Sequence, residues 1–74
     1  MKAEIFSRPG CGYCVMAKVL MVKRNIAFTE RDITDPAHYA EMKSRVPNAR
    51  TVPQIFLDGR SIGGFEDLAR HLGA

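Results

Sequence analysis

The 74-residue chain has only two cysteines. It has no apolar run near the roughly 18 residues that a membrane-spanning helix needs, and Met1-Lys2-Ala3-Glu4 opens no signal-peptide pattern. It also lacks internal repeats, linkers and low-complexity stretches, which excludes solenoid and fibrous architectures. These absences lead us to expect one compact domain over residues 1–74, working in the cytoplasm without a membrane partner. The formal charge is +3. However, Arg8, Lys18, Lys23, Arg24, Arg31, Lys43, Arg45, Arg50, Arg60 and Arg70 are scattered, and no aromatic RNA-binding motif interleaves them. This argues against nucleic acid and for a modest preference for a small anionic substrate.

What is present reads as alternating elements. Lys2 to Phe6 predicts a strand, broken by Arg8-Pro9-Gly10. Tyr13 to Arg24 has no Pro or Gly and predicts a helix; Val15, Met16, Val19, Leu20 and Val22 leave only a narrow polar stripe through Lys18, so this helix is expected to be largely surrounded by protein. Ile26 to Ile33 predicts a second strand. Asp35-Pro36 then opens an amphipathic helix through Tyr39, Met42 and Val46 that Pro47 stops. Gln54 to Leu57 and Arg60 to Gly63 predict a hairpin around Asp58-Gly59, and Phe65, Leu68, Ala69 and Leu72 mark a last helix with Gly73 as its C-terminal cap. The order is β-α-β-α-β-β-α.

Both cysteines, Cys11 and Cys14, fall where the first strand gives way to the first helix. Thiol–disulfide exchange needs a thiolate, and the unpaired N–H groups and partial positive charge of a helix start favour the anion, lowering a free thiol value near 8.5 to roughly 3.5–7.5. Cys11 is expected to be the nucleophile. Cys14, one turn in, is expected to be less exposed and to act as the resolving thiol, attacking a mixed disulfide on Cys11 at high effective concentration. A purely structural disulfide over so short a loop would contribute only about 2 kcal/mol in a region the helix already orders. A zinc site would need further ligands, and only His38 and His71 remain, both on predicted helices far along the chain and read as surface residues.

Three blocks, Ser7-Arg8-Pro9-Gly10-Cys11-Gly12-Tyr13-Cys14, Thr51-Val52-Pro53 and Gly63-Gly64-Phe65-Glu66-Asp67, make the chain resemble the dithiol glutaredoxins over nearly its full length. The resemblance implies an α/β thioredoxin fold, a four-stranded mixed sheet with three helices on its two faces, and Pro53 in the cis form beside the reactive thiol. It implies an enzyme that reduces protein disulfides and glutathione mixed disulfides, with glutathione as co-substrate. In the implied glutathione site, the Val52 backbone pairs with the cysteinyl part and Thr51 lies alongside. The Gly64-Phe65-Glu66 segment takes the γ-glutamyl carboxylate on helix N–H groups, and Asp67 takes the adjacent ammonium. Tyr13 flanks the sulfur and Arg8 attracts the glycyl carboxylate. Met16, Met21 and the Phe65 ring are read as core packing.

Two positions depart from the family. Gly12 stands where many members have Pro, and Ala40 falls where many have a carboxylate-binding Gln or Arg on the second helix, leaving Lys43 and Arg45 as neighbouring candidates. The expected partners are glutathione and disulfide-containing or glutathionylated proteins, met by a monomer. Gly12 motivates an alternative, a dimer sharing a [2Fe-2S] cluster through Cys11 and bound glutathione; a second alternative is a redoxin regenerated by thioredoxin reductase.

Overall fold

A computed structural model describes residues 1–73. Its elements run β1 (Ala3–Ser7), α1 (Gly12–Lys23), β2 (Phe28–Asp32), α2 (Pro36–Arg45), β3 (Gln54–Leu57), β4 (Arg60–Gly63) and α3 (Phe65–His71). The four strands form one mixed sheet in the order β2-β1-β3-β4, with β1 parallel to β2 and antiparallel to β3, and β3 antiparallel to β4. This is the thioredoxin fold that the resemblance implied.

Strand alternation builds a core on each face of the sheet. Ala3 and Ile5 of β1 and Ile55 and Leu57 of β3 point to one side, where they meet Ala17 and Met21 of α1 and Leu68 of α3. Phe6 and Phe56 point to the other side, where they meet Met42 of α2 and Ala49. The two rings stack edge to face at 5.8 Å between centroids. The central strands β1 and β3 are covered on both faces, and all their residues are buried.

Local signals fix the ends of the elements. Asp35 Oδ1 accepts the Ala37 N–H at 2.9 Å and Pro36 occupies the first turn of α2, as a helix start favours. Asp58 and Gly59 both take positive φ, 52° and 82°, the conformation a two-residue hairpin needs. At the end of α1, Asn25 adopts φ 57°, the left-handed geometry that closes a helix.

The expectation that α1 is enclosed by protein is overturned. Only Cys14, Ala17 and Met21 of this helix are buried, while Val15, Met16, Val19 and Val22 are exposed by 47% to 65%. The cause is topological. The sheet and α3 cover one side of α1, α2 packs on the opposite face of the sheet, and nothing among the described residues covers the other side of α1. Met21 is core as expected and Met16 is not. Tyr39, on α2, is likewise half exposed.

Candidate active site

Cys11 sits at the N-cap of α1, with extended backbone angles, and its Sγ accepts the backbone N–H of Cys14 at 3.2 Å. A side chain at this position meets the orphan N–H groups of the first turn. A thiolate there gains a charge-assisted hydrogen bond and the favourable end of the helix dipole. Cys14 is 1% exposed and Cys11 is half-buried, so the sulfurs differ in access as expected. The two are joined as a disulfide with Cα atoms 5.2 Å apart, within the roughly 4.4–6.8 Å such bridges span.

The Val52–Pro53 bond is cis, and the Val52 carbonyl oxygen lies 3.7 Å from Cys11 Sγ. Tyr13, Thr51, Val52, Pro53, Gly64, Phe65, Glu66 and Asp67 line one groove of about 300 Å³. Three sequence blocks, the second 36 residues beyond the first and the third nine residues beyond the second, are thus brought to one surface beside Cys11. The Tyr13 ring is exposed and tilts over the half-buried ring of Phe65 at 6.1 Å.

Arg8 lies outside that groove. It lines a neighbouring depression of about 620 Å³ with Lys43 and Arg50, and this depression meets the first groove at Thr51 and Val52. The sequence did not anticipate Arg50 here, because its charge is one of many dispersed along the chain. Of the two candidates near Ala40, Lys43 lines the depression while its Nζ donates to the Ala49 carbonyl at 2.7 Å. Arg45 is committed elsewhere: its guanidinium grips both oxygens of the buried Glu4.

Asp67 also has partners of its own. Its Oδ2 accepts the Gly64 N–H at 3.0 Å and its Oδ1 accepts from Arg70 at 3.3 Å, so it closes the start of α3 as well as lining the groove. The N–H of Gly64 is therefore already occupied. Those of Phe65 and Glu66 belong to the first turn of α3, where a helix leaves N–H groups without intrahelical partners.

On the other flank of the cysteines, a cavity of about 440 Å³ is bounded by Cys11, Cys14, Lys18, Ser7 and Glu30. Glu30 Oε2 accepts from both Lys18 Nζ and Ser7 Oγ at 2.7 Å. These two bonds, Lys18 first, hold its carboxyl below the usual carboxylate range. Sequence reading missed this trio because its members are far apart in the chain and none belongs to a motif.

Among the described residues, no group of three or more His, Cys, Asp or Glu side chains gathers to hold a metal ion. His71 is exposed, and His38 Nδ1 lies 2.9 Å from the Asp32 carbonyl oxygen. A [2Fe-2S] cluster therefore finds no ligand set within the described residues of one chain. Likewise, among the described residues no helix is long and apolar enough to cross a membrane.

Comparison with known proteins agrees with this geometry. The Glutaredoxin family model matches residues 3–62. Glutaredoxin 3 of Escherichia coli K12 is 38% identical over 65 residues, covering 88% of this chain and 78% of its own length. Hybrid peroxiredoxin hyPrx5 of Haemophilus influenzae is 36% identical over 68 residues; the match covers 92% of this chain but only 28% of that longer protein. Among solved structures, Glutaredoxin 1 from Francisella tularensis, complexed with cacodylate, superposes with a TM-score of 0.82 at 38% identity, covering 97% of this chain and 92% of its own. A buckwheat glutaredoxin–glutathione complex superposes at 0.78 with 26% identity, covering 96% and 69%. With a Cys-x-x-Cys pair capping the first helix of a thioredoxin fold, and with this family match over most of its length, the chain belongs to the glutaredoxins, a family of thiol–disulfide oxidoreductases.

Proposed function

We propose that the protein reduces glutathione mixed disulfides and protein disulfides, with Cys11 as nucleophile, Cys14 as resolving thiol and glutathione as electron donor. The observation that carries this reading is the groove beside Cys11: all the residues expected to contact glutathione except Arg8 line it, and Arg8 lines its continuation. A solved relative in complex with glutathione shares the fold.

In this reading an extended tripeptide lies along the trough. Its cysteinyl backbone pairs with Val52 at the edge formed by Thr51-Val52-Pro53, as β-augmentation does, which places its sulfur at Cys11. Its γ-glutamyl carboxylate meets the first turn of α3, at Phe65 and Glu66, with Asp67 beside its ammonium. Its glycyl carboxylate enters the depression where Arg8, Lys43 and Arg50 converge, and this cluster supplies the charge that Ala40 lacks. Tyr13 covers the sulfur side.

In the exchange, the Cys11 thiolate attacks the glutathione sulfur of a mixed disulfide. A Cys11–glutathione disulfide forms and the protein thiolate leaves, taking up a proton. A second glutathione thiolate then attacks the bound glutathione sulfur, giving glutathione disulfide and restoring Cys11. For a protein disulfide, the Cys11 thiolate first attacks one client sulfur, forming a Cys11–client disulfide and freeing the other client thiolate. Cys14 then attacks Cys11 Sγ, the client leaves as a dithiol and the chain is left with the Cys11–Cys14 bridge, which two glutathiones reduce. Such traffic fits a monomer in the cytoplasm, where glutathione keeps thiols reduced. The cluster-sharing dimer, which draws its other ligands from a second Cys11 and two glutathiones, gains no support among the described residues of this chain.

The test is the source of electrons. With the Cys11–Cys14 bridge formed, glutathione with glutathione reductase is expected to regenerate the dithiol and sustain turnover of a glutathionylated peptide. Regeneration by thioredoxin reductase alone, with glutathione inert, would overturn the reading.

A further inference from the structure

The outer side of α1 is out of keeping with its exposure. Val15, Val19 and Val22 are 55%, 48% and 65% exposed and recur at the i, i+4, i+7 spacing that puts side chains on one face, with Met16 beside them at 47%. A helix that is apolar on all but a narrow stripe is normally buried, and a contiguous exposed apolar patch marks an interaction surface. The buried half of the helix already packs on the sheet through Ala17 and Met21, so the outer valines are not needed for the core.

The surroundings of this face indicate its occupant. Val15 and Lys18 line both the cavity at the cysteines and the groove along the helix, so the groove runs out of the reactive site without a break. Lys18 and Lys23 edge the groove, Arg24 follows directly, and Gly12–Lys23 contains no Asp or Glu. Lys18 is met by Glu30 on β2, whereas among the described residues neither Lys23 nor Arg24 meets a carboxylate. A second copy of this chain would bring the same cationic rim against itself, which disfavours self-pairing. An apolar stripe flanked by carboxylates satisfies both the valines and Lys23.

We propose that the outer face of α1 docks a client protein through a helix that is apolar on one side and edged with Asp or Glu, next to the client's disulfide. The inference rests on the disulfide-exchange reading above and adds the class of protein substrate that the enzyme prefers. Contact is of the helix-in-groove kind, with Val15, Val19 and Val22 receiving the client's apolar side chains and Lys23 pairing with its flanking acids.

The probes are two synthetic peptides. Each carries one glutathionylated cysteine followed by a helix with leucines at i, i+4 and i+7, flanked in one by glutamates and in the other by lysines. The wild-type protein is expected to reduce the glutamate peptide with a kcat/KM about tenfold above that of the lysine peptide. The double variant Val19→Gln/Val22→Gln, which places good helix formers at exposed positions, is expected to lose that preference and keep full activity on a small glutathione mixed disulfide. Independently of turnover, the glutamate peptide with its cysteine replaced by serine is expected to shift the amide resonances of α1. Equal rates for the two peptides, a double variant that retains the preference, or no shifts in α1 would overturn the proposal. So would a concentration-dependent dimer dispersed by the double variant, because the face would then be a self-interface. Loss of small-substrate activity in the wild type would refute the exchange reading instead, and the resonance shifts would still decide the docking.

Discussion

Arg45 holds Glu4 with both ends of its guanidinium, Nη1 to Oε1 and Nη2 to Oε2, each at 2.9 Å. The same guanidinium lies 3.8 Å from the centre of the Phe56 ring, and Arg31 adds a third bond to Glu4 Oε1 at 2.9 Å. A carboxylate in the central strand β1 is thus buried with two cations that also cover the aromatic core on the α2 side. The hydrogen bonds from Arg45, followed by its charge and by Arg31, outweigh burial and bring the Glu4 carboxyl from its ordinary 4.5 down to about 2.

This pair predicts how the protein fails in acid. A carboxyl with a depressed value stabilises the fold fully above its unfolded value and loses that contribution as pH falls through the folded one, so the loss runs from about pH 4.5 down to about pH 2. A difference of that size corresponds to a contribution on the order of a few kcal/mol. Glu4→Gln is expected to lower stability at pH 7 by about 2–4 kcal/mol and to flatten the dependence between pH 4.5 and 2. Denaturant melts at several pH values check both.

Gly63 is tied to Asp67 in the same practical way. Its φ is 102°, and a Cβ there would collide with the Asp67 carboxylate that caps α3. Gly63→Ala is expected to cost about 1–3 kcal/mol and to displace Asp67 from the groove, raising KM for glutathione more than it lowers kcat. Asp67→Asn, which keeps the cap and removes the charge, is expected to raise KM for glutathione with a smaller loss of stability. Melting curves together with steady-state kinetics separate the two effects.

The cysteines predict a split between substrates. Cys14→Ser is expected to retain reduction of glutathione mixed disulfides and to lose most reduction of protein disulfides, because only the second reaction needs the buried thiol. Cys11→Ser is expected to abolish both. Parallel assays on a glutathionylated peptide and an intramolecular protein disulfide check this.

The convergence of Arg8, Lys43 and Arg50 predicts a salt effect on substrate capture. Replacing any one by Gln is expected to raise KM for glutathione by roughly three- to tenfold with little change in kcat, and the difference is expected to shrink at high ionic strength. Steady-state kinetics at low and at high salt check it.

Local signals carried most of the fold. Asp35-Pro36, Asp58-Gly59 and the short segments of β1 and β3 bounded by turn residues act over a few residues, and each formed the element it predicts. The groove was legible because its three motifs are contiguous blocks. Long-range commitments were not legible. Glu4, Arg31 and Arg45 read as ordinary charges until the sheet and α2 bring them together, and only that meeting shows why Arg45 is not available to a ligand. The exposure of α1 is not legible in the sequence, because apolar periodicity reports that a face seeks cover, and not whether the cover lies in the same chain.

The most direct test concerns the charge state of Cys11 at the N-cap of α1. In the reduced protein, the rate of iodoacetamide alkylation at Cys11 followed against pH, with Cys14→Ser as control, is expected to reach half its maximum below neutrality. A midpoint near the roughly 8.5 of a free cysteine would contradict the account.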